Sequence, residues 1–87
     1  MTVHMIVHVT AVECVAPRTL RVWFDDGSVK DVDLSGELWG EVFEPLNDPD
    51  FFSQVFVSEE TGTIEWPNGA DLAPSFLYEK GAPVSAA

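Results

Sequence analysis

Residues 19–34, TLRVWFDDGSVKDVDL, constrain the fold more than any other stretch. Leu20, Val22 and Phe24 alternate with Thr19, Arg21 and Trp23. A period of two turns the first set toward a core and the second away from it. Asp25-Asp26-Gly27-Ser28 follows, and Asp-Gly is a strong hairpin signal because glycine accepts positive φ without steric cost. Residues 29–34 return as the second arm. The arms do not match simply. A plain two-residue turn pairs Phe24 with Val29, but it sets Val22 against Asp31 and Leu20 against Asp33. A shift by one residue pairs Val22 with Val32 and Leu20 with Leu34. Because such a slip turns every side chain over, a bulge or a longer loop near Gly27–Lys30 is predicted.

The rest of the chain supplies partners for this hairpin. Residues 3–14 have strand character, with Val3, Met5, Val7, Val9 and Ala11 on one face and Ile6, Val12 and Cys14 on the other. Apolar residues on both faces predict an interior position in the sheet. Pro17 ends that strand. After Ser35-Gly36, Glu37-Leu38-Trp39 is expected to make a single helical turn. Pro45 interrupts the apolar stretch of Val42, Phe43 and Leu46. Asp48 as N-cap, Pro49 and Asp50 open a short helix over 49–54, anchored by Phe51 and Phe52. Residues 55–58 and 63–66 form a second hairpin around Glu59-Glu60-Thr61-Gly62. Pro67-Asn68-Gly69 closes the fifth strand. Ala73-Pro74 starts a helix carrying Phe76, Leu77 and Tyr78, with Gly81 as its stop. Residues 82–87 are expected to fray. The expected fold is one α+β domain over residues 1–81, a small antiparallel or mixed sheet of about five strands with one or two short helices packed on one face.

Eighty-seven residues bury roughly 60–65% of the unfolded surface, a modest core. A hydrophobic content of 46% excludes disorder despite a net charge of -11. Cys14 is the one cysteine, so no intrachain disulfide forms. With an N-terminus that lacks a basic region, it points to a reducing cytoplasm. Fifteen acids against four bases predict no direct nucleic-acid contact and no anionic membrane surface. A basic protein partner, or a homodimer, is the expected association. The acids are concentrated: residues 25–65 hold twelve acids and one base, Lys30. Asp25, Asp26, Glu59 and Glu60 at the hairpin turns are the candidate acidic surface.

Chemical sites are sparse. His4 and His8 share a strand face but lie about 13 Å apart at ~3.3 Å per residue, too far to bind one ion. The run from Asp31 to Gly36 begins like a calcium loop, yet its twelfth position is Val42 rather than a bidentate carboxylate. Cys14 has no activating neighbour and suits a structural role. No phosphate loop, nucleophile elbow or zinc spacing occurs. No metal, cofactor or catalytic residue is therefore expected. Trp66-Pro67-Asn68-Gly69-Ala70-Asp71-Leu72 is the most unusual segment. Trp66, Asn68, Gly69 and Asp71 are its candidate binding residues, as a partner-binding rim. Turn chemistry offers an architectural reading: Trp66 in the core, Asn68-Gly69 turning the chain, and Asp71 capping the last helix or the turn.

FDDGSVKDVDL (24–34), FEPLNDPDFF (43–52) and TIEWPNGADLAPSFLY (63–78) resemble the bacterial domain-of-unknown-function family 2442, in the same order across nearly the whole chain. Trp66–Leu72 is the most specific part of the likeness. The resemblance implies a small α+β fold and no established biochemical activity. It also implies two associations found among relatives: an added helix-turn-helix domain, and small companion proteins encoded alongside in toxin–antitoxin-like pairs. Eighty-seven residues leave no room for the added domain. The expectation is a non-enzymatic, acidic protein-interaction module, the antitoxin-like member of a two-protein pair. The alternative is a small-molecule or divalent-cation binding domain using the acidic turns and the Trp66 loop.

Overall fold

A computed structural model describes residues 7–84. Three strands come first: β1 (Val9–Ala16), β2 (Thr19–Phe24) and β3 (Val29–Asp33). A 3-10 turn (Glu44–Asn47) and the single-turn helix α1 (Pro49–Phe52) lead to β4 (Phe56–Ser58), β5 (Thr63–Glu65) and β6 (Asp71–Leu72). Helix α2 (Pro74–Lys80) and β7 (Ala82–Pro83) complete the described chain. The strands form two antiparallel sheets, ordered β1-β2-β3-β7 and β4-β5-β6, rather than the single five-stranded sheet expected. The sheets meet at the start of β1, where the Val9 N–H donates to Gly62 O at 2.9 Å. Among the described residues, no helix is long and apolar enough to cross a membrane.

The β2–β3 hairpin adopts neither register weighed above. Leu20 faces Val32, Val22 faces Lys30 and Trp23 faces Val29. The loop is three residues, Asp25-Asp26-Gly27, closed by Phe24 N–H to Ser28 O at 2.9 Å and Gly27 N–H to Phe24 O at 3.1 Å. Gly27 takes φ +90°, so the expected irregularity sits in the turn itself. This register points Lys30 to the core face. Its stem runs under α2, its Nζ donates to Tyr78 O at 2.7 Å, and the ammonium lies 3.7 Å from the Tyr78 ring centroid.

β1 occupies the end of its sheet order, not the interior. Its apolar residues on both faces come from a bulge. Val9 pairs with Phe24, but Ala11 pairs with Trp23, so Thr10 is the extra residue. Beyond the bulge the parity reverses: Val12 and Cys14 face Val22 and Leu20, while Ala11 is exposed. The predicted residues 3–6 lie outside the described chain.

The core lies between the two sheets and beneath the helices. Trp66, Phe52, Leu20, Leu34, Leu46, Ile64, Leu77, Val22 and Val32 are all fully buried. Trp66 packs on Phe52 with ring centroids 5.8 Å apart, and its Nε1 donates to Phe52 O at 2.9 Å. Asp48 caps α1 as expected, accepting from the Asp50 N–H at 3.0 Å. The helix ends at Phe52, and Ser53 and Gln54 form a turn.

Three local expectations are corrected. Ser35–Glu37 is a hydrogen-bonded turn, with Glu37 N–H to Leu34 O at 3.0 Å, and 37–39 is not helical. Asp71 does not cap α2. It pairs with Glu65 in β6, and Ala73, which has no capping side chain, precedes the helix. Gly81 does stop α2 as expected, though at φ -69°, outside the left-handed region. Its missing Cβ makes space: a methyl there would lie 2.7 Å from Lys30 Cβ and 2.9 Å from Leu77 O. Ala82 and Pro83 do not fray. They pair with Asp31 and Lys30, and the Val84 N–H donates to Val29 O.

Candidate functional site

Two of the three hairpins that carry the candidate residues are built alike. Phe24-Asp25-Asp26-Gly27-Ser28 and Trp66-Pro67-Asn68-Gly69-Ala70 each close a three-residue loop, with the glycine at φ +90° and +89°. In each, the side chain before the glycine accepts from the N–H after it. Ser28 N–H reaches Asp26 Oδ1 at 2.8 Å, and Ala70 N–H reaches Asn68 Oδ1 at 3.1 Å. This is turn chemistry, short side chains satisfying their own loop.

The sequence could not show that the two acidic turns are tied to one segment. The Asp25 N–H donates to His8 O at 2.9 Å, and the next residue, Val9, donates to Gly62 O at 2.9 Å. Asp25 returns the contact: Oδ1 accepts from the His8 N–H and Oδ2 lies 3.1 Å from His8 Nδ1. On the other side, Gly62 has φ +73°, and a Cβ there would lie 2.5 Å from His8 Cδ2. The imidazole is thus wedged between the turn bearing Asp25 and Asp26 and the turn bearing Glu59 and Glu60. All four acids are exposed. The hydrogen bond from the His8 backbone, then that from its ring, holds the Asp25 carboxyl below its usual pKa. The Ser28 N–H and the Tyr78 hydroxyl, 2.7 Å from Oδ2, do the same for Asp26. Both therefore hold their negative charge to lower pH than an ordinary Asp.

The structure places Trp66 in the core and leaves Asn68, Gly69 and Asp71 at the surface. Trp66 is 1% exposed and spends its N–H inside the core. Asn68 is exposed, but its Nδ2 donates to Val42 O at 2.9 Å, fastening the loop before Phe43 to the β5–β6 hairpin. Gly69 and Asp71 are exposed on that hairpin, and nothing brings them to Asp25 or Glu59.

A feature missed by sequence reasoning lies beside it. Trp39 is 74% exposed at the edge of a groove of about 250 Å³ that it shares with Phe43, Leu72, Phe76 and Glu37. Its neighbour Val42 is also exposed. The available signal was WGEVFE itself, large apolar residues between acids where no helix or strand period continues.

Elsewhere, Arg21 and Asp31 form a two-pronged pair across β2 and β3, Nε to Oδ1 at 2.8 Å and Nη2 to Oδ2 at 3.2 Å. The bond from Arg21 lowers the pKa of Asp31 and raises that of Arg21. Cys14 is half-buried and its Sγ donates to Ala16 O. Among the described residues, no three His, Cys, Asp or Glu side chains converge as metal ligands. His4 lies outside them.

Residues 9–83 match the family described as a protein of unknown function, DUF2442. The chain belongs to DUF2442. No curated protein matches it. Among solved structures, the DUF2442 chain is similar to a "putative DNA binding protein" from Nitrosomonas europaea ATCC 19718. The two share 34% identity and a TM-score of 0.66 over 77% of this chain. This chain spans 44% of that protein's length. The neighbour overturns the expectation of no direct nucleic-acid contact. That expectation rested on the acidic excess and on four basic residues, Arg18, Arg21, Lys30 and Lys80, too few and too scattered to clamp phosphates, and neither excludes contacts made through backbone N–H groups or neutral side chains.

Proposed function

We propose that this DUF2442 chain is a non-enzymatic interaction module that recognises a basic surface on a partner protein. The observation that supports this is the gathering of two acidic turns around His8 and Val9. It sets Asp25, Asp26, Glu59 and Glu60 on either side of one short segment in a chain of net charge -11. Complementary charge speeds encounter and selects partners more than it adds raw affinity. A module of this kind suits the acidic half of a two-protein pair.

Co-expression with the product of the adjacent gene tests the proposal. A complex should co-purify, weaken between about 0.05 and 0.5 M NaCl as screening lengths shorten, and weaken further in Asp25→Lys and Glu59→Lys variants. A complex indifferent to both salt and charge reversal would count against the acidic turns. A nucleic-acid reading is favoured by the description of the Nitrosomonas protein. Fluorescence anisotropy with a labelled duplex separates the two: saturable, salt-sensitive DNA binding by this chain would support the second reading.

A further inference from the structure

Among the described residues, Trp39 is the most exposed of the large hydrophobic side chains. The chain has three tryptophans; Trp66 is buried, Trp23 half-buried, and Trp39 stands 74% in solvent. Its loop is nevertheless held at several points. The Leu38 carbonyl accepts from Asn47 Nδ2 at 2.9 Å, and the Val42 carbonyl accepts from Asn68 Nδ2. Gly40 O accepts from the Phe43 and Glu44 N–H groups at 3.1 and 2.8 Å. An exposed aromatic on a fastened loop is preorganised, so binding there costs little further ordering.

The groove it edges is apolar, formed by Phe43, Leu72 and Phe76. Its volume of about 250 Å³ is below the ~300–1,000 Å³ usual for small-molecule sites and suits one or two inserted side chains. The surrounding charge is one-sided. Residues 37–52 hold five acids and no base, and Asp71 adjoins Leu72. The nearby cation, Lys80, is already engaged, its Nζ 3.2 Å from Glu37 Oε1. A second copy of the chain would set these same acids against one another.

We propose that this groove seats a basic amphipathic segment of a partner protein. An aromatic or leucine side chain enters over Phe43, Leu72 and Phe76 beside Trp39. Flanking lysines or arginines meet Glu41, Glu44 and Asp71, and an arginine can also lie on the indole face. This site rests on the reading of the chain as a module for basic partners, and it locates the seat.

A random-peptide phage library selected on the full chain tests it. Enriched sequences should carry an apolar anchor between Lys or Arg residues. A synthetic peptide from that set should bind Trp39→Ala about tenfold or more weakly than the parent chain, and bind Trp39→Phe nearly as well as it. Circular dichroism should show both variants folded, since the side chain is exposed; Phe76→Asp gives a second probe of the groove. Basic, salt-sensitive peptides that bind Trp39→Ala unchanged would overturn the groove and leave the acidic-module reading standing. Enriched peptides without positive charge that still need Trp39 would overturn the partner chemistry in both. Failure to enrich any sequence overturns the site. So does sedimentation showing a dimer that Trp39→Ala converts to monomer, because the occupant would then be a second copy.

Discussion

His8 holds its position because residue 62 is a glycine. Gly62 combines φ +73° with a missing Cβ that would otherwise lie 2.5 Å from the imidazole. Gly62→Ala should therefore destabilise by about 1–2 kcal/mol from the left-handed backbone alone, with more from displacing the ring. In a His8→Ala background the steric part should vanish and the backbone part remain. Urea unfolding of the two single variants and the double variant measures this; equal losses in both backgrounds would mean the ring is not in the way. Asp25 reports on the same contact through pH. Its folded pKa is lowered because His8 donates to the charged form. Its contribution to stability is complete above the ordinary carboxylate pKa and disappears as pH falls through the lower folded value. Asp25→Asn should thus cost stability at pH 7 and close the gap to the parent chain as pH falls through the lowered folded pKa of Asp25, below which both side chains are neutral. A difference unchanged by pH would assign the loss to something other than the carboxylate charge.

At the scale of elements, Arg18 shows where turn chemistry is imperfect. Pro17 and Arg18 form a two-residue connection between β1 and β2, with Arg18 at φ +66°. A non-glycine residue there costs roughly 1–2 kcal/mol, while glycine loses about 0.5–1 kcal/mol more chain entropy on folding. Arg18→Gly should come out more stable by a few tenths to about 1 kcal/mol, because the Arg18 carbonyl still accepts the Leu34 N–H. The check is a higher denaturant midpoint at unchanged slope. Local turn signals of this kind are what made β2, β3, α1 and the β4–β5 hairpin legible: Asp25-Asp26-Gly27 and Asp48-Pro49 act within a few residues. Longer-range contacts were not legible. The β2–β3 register was missed because it turns a charged residue, Lys30, to the core face, which works only because Tyr78, some fifty positions away, receives the ammonium. β6 and β7 have two residues each, too short for any period, and exist through pairing with β5 and β3. At the candidate site the acidic residues were legible but their gathering was not, since it runs through His8 and Val9. Trp39 was hidden for a different reason: its exposure depends on Asn47 and Asn68 fastening the loop.

For the whole molecule the balance is between self-repulsion and a few surface pairs. A net charge of -11 is spread over a body with a radius of gyration of 12.7 Å. The screening length is about 30 Å at 0.01 M salt, longer than that radius, and about 3 Å at 1 M. At low salt most of the carboxylates therefore interact with one another, and compaction raises their mutual repulsion relative to the expanded chain. Opposing this, among the described residues, are Arg21–Asp31, Lys80–Glu37 and, when the imidazole is protonated, His8–Asp25, all partly exposed. Exposed pairs of this kind contribute little and are themselves screened. Repulsion should win, so the thermal midpoint at pH 7 should rise as NaCl goes from about 0.01 to 0.5 M. Glu59→Gln with Glu60→Gln should flatten that rise, by removing two like charges from the turn beside Asp25. Differential scanning calorimetry across the salt series decides the matter. A midpoint that falls with salt would show that the three pairs outweigh the repulsion, and would weaken the case that these turns are held in readiness for a basic surface.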